Sequence, residues 1–324
     1  MHRAAISLAR SPLSAALCIA LIGCGGASQP AGVGGAGGAP SSRILPGLGF
    51  VATSFGFYDP ESADSPLDGA NLDDAVSDSS SPRERECAHD DFMGMNDEPG
   101  VDYNFLRIIT DDATRDDGKY VFGGFREGQL VDGVISGATK NGSMTILIHV
   151  QGVDDLDKDD DVAVQIFASE DSPALGTDNS VLPGATLSIH PESRFHSGEV
   201  QGRIEEGVLT AGPIDMLFPI DIMIVRDELL VHDSILRLRL GEEGFEGTVT
   251  GYWDVANIRS IIGVPTTDNG NAANFSIEQF DAAMAEFADW DVDSETGLCR
   301  SISTIFQIRG TRAFLASDGG RSGA

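Results

Sequence analysis

The feature that most constrains the fold is a regular alternation of apolar and charged side chains. In residues 236–240, Leu-Arg-Leu-Arg-Leu, the leucines fall on one face of an extended strand and the arginines fall on the other. From Cys87 onward, short apolar runs alternate with turns that contain Gly and Asp, and the chain has 39 glycines. We therefore expect a mainly β fold, either an antiparallel β-sandwich or an open barrel.

The candidate strands share an apolar core and turn residues at their ends. They are Lys119–Phe122, Met144–Val150, Val162–Ala168, Thr186–His190, Glu199–Ile204, Gly207–Ala211, Met216–Val225, Glu228–Leu240, Phe245–Trp253 and Ser301–Arg309. The segments Glu205-Glu206-Gly207 and Glu242-Glu243-Gly244 are typical of hairpin turns. The sequence therefore predicts an antiparallel meander over residues 199–253.

One segment, about residues 275–290, has helical periodicity. Ser276 and Gln279 have the spacing of a capping box at its start. The apolar residues that then recur at helical spacing are Ile277, Phe280, Met284 and Phe287. We expect a C-terminal helix that covers one end of the β-structure with this stripe.

The N-terminus has the pattern of a secretory signal peptide. Arg3 and Arg10 lie at its start, Leu13 to Gly23 form an apolar segment, and Cys24 follows. The segment is shorter than the roughly 20 apolar residues that a membrane span needs. It resembles a bacterial lipoprotein signal, which implies cleavage after residue 23 and attachment of palmitate-type acyl chains to Cys24. The alternative is an ordinary secretory peptide that is cleaved elsewhere.

This resemblance also implies a location. The residue after Cys24 is Gly25, which in lipoproteins of this kind favours the outer membrane. We expect an extracytoplasmic, membrane-anchored protein on the periplasmic or the surface face.

Composition divides the rest of the chain into a tether, a domain and a tail. Residues 24–86 are rich in Gly, Ser and Asp and predict a disordered tether, within which the apolar patch Ile44 to Tyr58 is a candidate for docking on the domain. Residues 87–316 predict a single β-rich domain, and residues 317–324 predict a disordered tail.

The chain is strongly acidic, with 51 acidic and 21 basic side chains and a formal charge of −30. Such a charge repels nucleic acid, so we expect no nucleic-acid partner. It favours divalent cations or cationic partners, or it serves solubility in a salty medium. The membrane, reached through the lipidated N-terminus, is the one partner that we expect; whether a protein or a polysaccharide is the ligand stays open.

The cysteines leave one natural pair. Cys18 lies in the signal peptide and Cys24 is the lipidation candidate, which leaves Cys87 and Cys299 in an oxidising compartment. A disulfide between them would enclose nearly the whole domain. The alternative is two unpaired buried thiols.

Two acidic loops have part of a calcium-binding pattern. The carboxylates at alternate positions are Asp155, Asp157 and Asp159 in one loop, and Asp289, Asp291 and Asp293 in the other. Alternate side chains of a curled loop can converge on one hard cation, so structural calcium is an expectation for either loop. The sixth and twelfth positions of both loops depart from the EF-hand pattern, and a solvated turn is the alternative.

We identify no catalytic residues in the sequence. It has no Gly-x-Ser-x-Gly elbow and no pair of histidines with zinc-protease spacing. The leading hypothesis is a non-enzymatic binding or cell-envelope structural module. The competing hypothesis is a secreted hydrolase that acts on polysaccharide or envelope material through paired carboxylates. A cleft with two carboxylates beside an exposed Trp253 or Trp290 would favour the hydrolase.

Three segments carry a resemblance to a group of proteins. They are the early cysteine with its acidic segment (87–102), the Gly-Val-Leu-Thr to Gly-Tyr-Trp meander (207–253), and an Ala-Asp-x-Asp-x-Asp loop that leads to a cysteine and a final strand (288–306). In this arrangement the chain is similar to uncharacterised lipoproteins of myxobacteria and related bacteria. The resemblance implies a secreted architecture and no known activity.

Overall fold

A computed structural model describes residues 42–60, 65–80, 85–87, 89–109, 137–222, 225–262 and 277–317. The strands are β1 (Arg43–Ile44), β2 (Leu48–Phe57), β3 (Phe92–Met93), β4 (Pro99–Val101), β5 (Thr145–Gln151), β6 (Lys158–Ser169), β7 (Ala185–Ser188), β8 (Val200–Glu205), β9 (Val208–Ile222), β10 (Val225–Leu240), β11 (Gly244–Asp254), β12 (Trp290–Val292) and β13 (Cys299–Ser317). The helices whose bounds are described are α1 (Leu106–Ile109), α2 (Val255–Ile262) and α3 (Ile277–Phe287), and residues 137–141 are also helical. The predicted signal peptide, Cys18, Cys24 and the strand Lys119–Phe122 lie outside the described residues.

The main sheet is an antiparallel ring. Each strand pairs with the next in the order β2, β5, β6, β8, β9, β10, β11 and β13. The ring closes because β13 also pairs with β2, from Phe306 opposite Phe57 to Arg312 opposite Phe50. The prediction of a mainly β, antiparallel fold is confirmed, and so is the meander over residues 199–253, which forms β8 to β11. The sheet curls fully into a barrel, which leaves none of these eight strands at an edge.

Apolar side chains fill the interior of the ring. Leu236, Leu238 and Leu240 belong to the main hydrophobic core, as the Leu-Arg alternation predicts. Across the interior, the rings of Phe50 and Phe245 meet edge to face with centroids 5.5 Å apart. The interior is thus a packed core that holds the barrel in shape.

Two strands are longer than the sequence indicates. The sequence predicts two separate strands, Gly207–Ala211 and Met216–Val225. In the structure, one continuous strand, β9, covers most of both. The sequence predicts that the final strand ends at Arg309, but β13 continues to Ser317. Its last residues leave the ring and pair with β1 and β7 instead.

The predicted tether is wrong for the described part of residues 42–86. Strand β2 lies inside the ring between β5 and β13. Phe50, Val51 and Ala52 are fully buried, because β2 packs against the interior on one face and against an outer layer on the other. The domain therefore begins near residue 42 and not at residue 87. The apolar patch Ile44 to Tyr58 contains strand β2 of the barrel, so it is part of the domain and does not only dock on it.

The predicted C-terminal helix is confirmed as α3. Phe280 and Met284 are buried as the periodicity indicates, and Ile277 and Phe287 are partly buried. The helix packs against α1, α2 and β13 at one end of the barrel. Ser276, the candidate cap, lies outside the described residues.

Candidate functional site

The candidate site lies where a long segment covers the outer face of β10, β11 and β13. We call residues 65–109 the cover segment; the structure describes it except for residues 81–84 and 88. Arg237 of β10 holds it through the carbonyl oxygen of Gly69 at 3.2 Å and the carboxylate of Glu98 at 3.3 Å. The backbone N–H of Ala70 donates to the hydroxyl of Thr250 on β11.

A disulfide fixes the same segment to β13. Cys87 and Cys299 are bonded, with their Cα atoms 6.1 Å apart, which confirms the predicted pair. The backbone N–H of Cys87 also donates to the carbonyl oxygen of Asp289. Residues from two distant parts of the sequence are thus held together beside the disulfide.

Five carboxyl groups interact electrostatically in this region, and we call them the carboxyl cluster. They are Asp73, Glu86, Asp91, Asp102 and Asp289. Four of them come from the cover segment, and Asp289 comes from the residues between α3 and β12. The side chain of Tyr252, on β11, interacts with four of the five, Asp91 excepted. The cluster therefore lies between the cover segment and the barrel.

The carboxylate of Asp289 accepts three hydrogen bonds. Its Oδ1 accepts the backbone N–H of Ser303 at 2.8 Å, and its Oδ2 accepts the Ser303 hydroxyl at 2.5 Å. The same Oδ2 accepts Nδ2 of Asn104, in the cover segment, at 2.7 Å. Burial raises the pKa of Asp289, and these hydrogen bonds oppose the rise. Asp289 thereby joins β13 to the cover segment.

Asp102 and Asp91 are acids that hold their protons at higher pH than usual. Burial is the main cause that raises the pKa of Asp102 to about 9, and the charges of Asp289 and Asp91 add to it. Burial likewise raises the pKa of Asp91 to about 6. Each accepts a backbone N–H of the cover segment, from Leu72 and from Ser77 respectively. Both groups therefore contribute to local loop structure as well as to the cluster.

Arg107 and His89 are basic groups that interact with the cluster. The guanidinium of Arg107 lies over the ring of Phe92 and donates to the side chain of Asn104. It interacts with Asp289 and Asp91, although burial lowers its pKa. Burial also lowers the pKa of His89, against the effect of Asp289. Arg107 thus offsets part of the negative charge of the cluster, and the lowered pKa of His89 favours its neutral form.

The tryptophans are not exposed beside this cluster. Trp253 is 7% exposed, and its indole N–H donates to Asn257. Trp290 is partly buried between the ring of Tyr252, stacked at 4.8 Å, and the guanidinium of Arg85. Asp102 and Asp289 are also only 6% and 7% exposed. Buried carboxyl groups of this kind bind protons and hold the cover segment in place. Among the described residues of the cluster, Asp102 and Asp289 form no solvent-accessible pair beside an exposed tryptophan.

The first predicted calcium loop uses its carboxylates for its own backbone. Asp155 accepts the N–H of Asp157, and Asp159 accepts those of Asp154 and Asp161. Because these oxygens shape a turn, the alternative of a solvated turn fits the geometry better.

The three carboxylates of the second predicted calcium loop likewise have separate partners. Asp289 belongs to the carboxyl cluster, Asp291 pairs with Arg300 at 2.7 Å, and Asp293 accepts the N–H groups of residues 295 and 296. Within the described ranges of the chain, no group of three or more His, Cys, Asp or Glu side chains is arranged to hold a metal ion. The structure thus gives no geometric support to calcium at either loop.

Sequence reasoning missed most of the cluster. Asp73 and Glu86 lie in the segment predicted as tether, and nothing distinguishes Asp91 and Asp102 among so many acids. One signal was available: a disulfide at Cys87 requires its neighbours in the sequence to lie against the domain too.

The comparisons with known proteins add no function. No family model matches the chain, and neither a curated protein nor a solved structure matches it significantly. In the part of the chain that the structure describes, no helix is both long enough and apolar enough to cross a membrane.

Proposed function

We propose that this protein is a lipid-anchored, extracytoplasmic protein whose barrel is a non-enzymatic binding or structural module of the cell envelope. Cys24 carries the lipid, and the barrel faces the periplasm or the cell surface from the outer membrane. The observation that carries the proposal is the Cys87–Cys299 disulfide, which joins the cover segment to the last strand. Disulfides of this structural kind persist in oxidising compartments, where a secreted lipoprotein folds.

The state of the acidic groups supports a module without catalysis. Asp289 is saturated with hydrogen bonds from Ser303 and Asn104, and Asp102 accepts the backbone N–H of Leu72. A carboxyl group engaged in this way holds structure, whereas a general acid or a nucleophile needs access to its substrate. Binding to the outer surface of a packed barrel fits these observations better.

A hydrolase that acts on polysaccharide or envelope material is the second candidate. The raised pKa of Asp102, next to Asp289, favours it, because a protonated acid beside a second carboxyl group is what glycoside hydrolysis uses. Asp102, in the cover segment, and Asp289, on the barrel side, are both buried where the two meet, so this activity would need the segment to open. Asp102→Asn would then abolish release of sugar or peptide fragments from purified cell envelopes, whereas for a binding module we expect no release by the unmodified protein.

The test of the anchor compares two cysteine variants of the full chain in a bacterial host supplied with labelled palmitate. We expect the unmodified protein to incorporate the label and to fractionate with membranes. Cys24→Ser should incorporate none and appear in the soluble extracytoplasmic fraction, because it lacks the thiol that receives the lipid. Cys18→Ser is the matched control, since it removes the other signal-region cysteine and should behave like the unmodified protein.

Two results would contradict the proposal. Label in Cys24→Ser would place the lipid elsewhere, and membrane residence of that variant without label would point to a different anchor. Folding is checked separately in each variant by the Cys87–Cys299 disulfide, read by mass spectrometry without reduction.

A further inference from the structure

A small sheet lies on the outside of the barrel, at the place where the described chain begins and ends. The last residues of β13 pair with β1 on one side and with β7 on the other. A second hydrophobic core, separate from the interior, fixes this sheet to the ring; its central members are Val51, Leu147, Phe167, Leu187, Ala313 and Leu315. The sheet is therefore a rigid outer layer with one face turned away from the barrel.

That outward face carries exposed apolar side chains beside two exposed hydroxyl residues of β7, Thr186 opposite Phe314 and Ser188 opposite Ala316. Phe314 is 52% exposed and points away from Ala313 and Leu315, its inward neighbours on β13. Ile44 lies opposite Ala316 and so shares the face of Phe314, and it is 44% exposed. Leu182, also 44% exposed, lies two residues before Gly184, which is close to the ring of Phe314. We call these three side chains the apolar face.

The apolar face is where the chain arrives from Cys24. Ile44 is in the first strand, and residues 25 to 42, 18 residues, separate Cys24 from Arg43. A chain of this length spans at most about 60 Å when fully extended. As a flexible coil it would average about 25 Å. A lipid on Cys24 would thus keep this face within reach of the bilayer at high effective concentration, so weak apolar contacts suffice to orient the domain.

We infer that the apolar face rests on the surface of the bilayer that holds the lipid of Cys24; this inference depends on the proposed anchor. Phe314, Ile44 and Leu182 enter the interfacial layer, where apolar area is stabilised. The remaining surface of a chain with a net charge of −30 is repelled by anionic head groups, which confines the contact to this face.

Footprinting of side chains tests the contact directly. The Cys18→Ser full chain has one cysteine outside the disulfide, Cys24, which is coupled through a maleimide lipid to phosphatidylcholine vesicles. Coupling in vitro makes the result independent of whether cells lipidate Cys24. Hydroxyl-radical labelling is then compared between the coupled and the uncoupled protein.

We expect labelling of Phe314, Ile44 and Leu182 to fall several-fold on coupling. Met93 and Met95 are exposed apolar residues of the cover segment and serve as internal controls, so their labelling should not change. In a Phe314→Ser variant the protection of Ile44 should be lost, whereas Met93→Ser should leave it in place.

Two results would overturn the inference. Equal labelling of Phe314 with and without coupling would show that the face is not on the bilayer. Protection of Phe314 in the uncoupled protein that grows with protein concentration would assign the face to a second copy of the chain.

Discussion

Asp102 is a carboxyl group in a place where water stabilises its charge poorly. Asp289 and Asp91 lie near enough to raise its pKa further, beyond the effect of burial. Its one strong hydrogen bond, from the N–H of Leu72, fixes the loop that passes over Tyr252 and Thr250. The residue is therefore a link between proton binding and the position of the cover segment.

The raised pKa of Asp102 decides whether the stability of the fold rises or falls with pH. The pKa of Asp102 is about 9 in the folded protein, against an ordinary value of about 4 in an unfolded chain. Between these values the folded protein retains a proton that the unfolded chain releases, so stability falls as pH rises. Asp91, with a pKa of about 6, adds to the fall in the lower part of this window. We expect a larger free energy of unfolding in urea at about pH 5 than at about pH 8.

Asp102→Asn isolates the contribution of this carboxyl group. The amide oxygen can still accept the N–H of Leu72, while the titrating proton is gone. We expect the slope of stability against pH to flatten between about pH 6 and pH 9. Asp160→Asn, on an exposed residue, is the matched control and should keep the original slope. An unchanged slope in Asp102→Asn would assign the pH dependence to other groups.

At the scale of elements, the sequence predicts strands well where their environment is regular. The Leu-Arg alternation of β10 and the stripe of α3 place core residues correctly, because both periods are local properties of the chain. The pair Gly212-Pro213 interrupts the apolar pattern of β9, and so one strand was divided into two. The sequence does not predict strand β2 for a different reason. Its flanks are rich in Gly, Ser and Asp, and the average composition of the whole segment therefore indicates a tether despite the short apolar strand within it.

The packed interior makes a prediction for an inward-facing glycine. Gly251 of β11 lies opposite Thr304, and a Cβ added to it would lie 2.5 Å from the Ser234 hydroxyl and 2.7 Å from Cγ1 of Val231. Gly251→Ala should therefore lower the free energy of unfolding by about 1–3 kcal/mol through overpacking. Denaturant unfolding measures the change.

Gly198→Ala is the matched control for that substitution. A Cβ at Gly198 meets nothing within 4 Å, so the change should be close to neutral or slightly stabilising. If Gly251→Ala is as harmless as Gly198→Ala, then the interior has free room next to Ser234 and Thr304, and the description of a fully packed barrel is wrong.

For the whole molecule, closure of the ring and assembly of the carboxyl cluster depend on contacts across most of the chain. Asn104 meets Asp289 across 185 positions, and Cys87 meets Cys299 across 212. Of these contacts only the disulfide could be predicted, because cysteines are few and their chemistry pairs them. Carboxylates are too many for any one pair to be selected from the sequence, and burial, which makes Asp102 and Asp289 distinctive, exists only in the folded chain.

The net charge of −30 governs how the whole molecule responds to salt. Self-repulsion of the acidic surface destabilises the compact state, and the screening length falls from about 30 Å at 0.01 M salt to about 3 Å at 1 M. We expect the melting temperature to rise with sodium chloride over this range. Calcium chloride and magnesium chloride at matched ionic strength should give equal rises, since the described carboxylates form no metal-binding group. A rise specific to calcium, reversed by chelator, would instead establish a calcium site and support the prediction for the acidic loops.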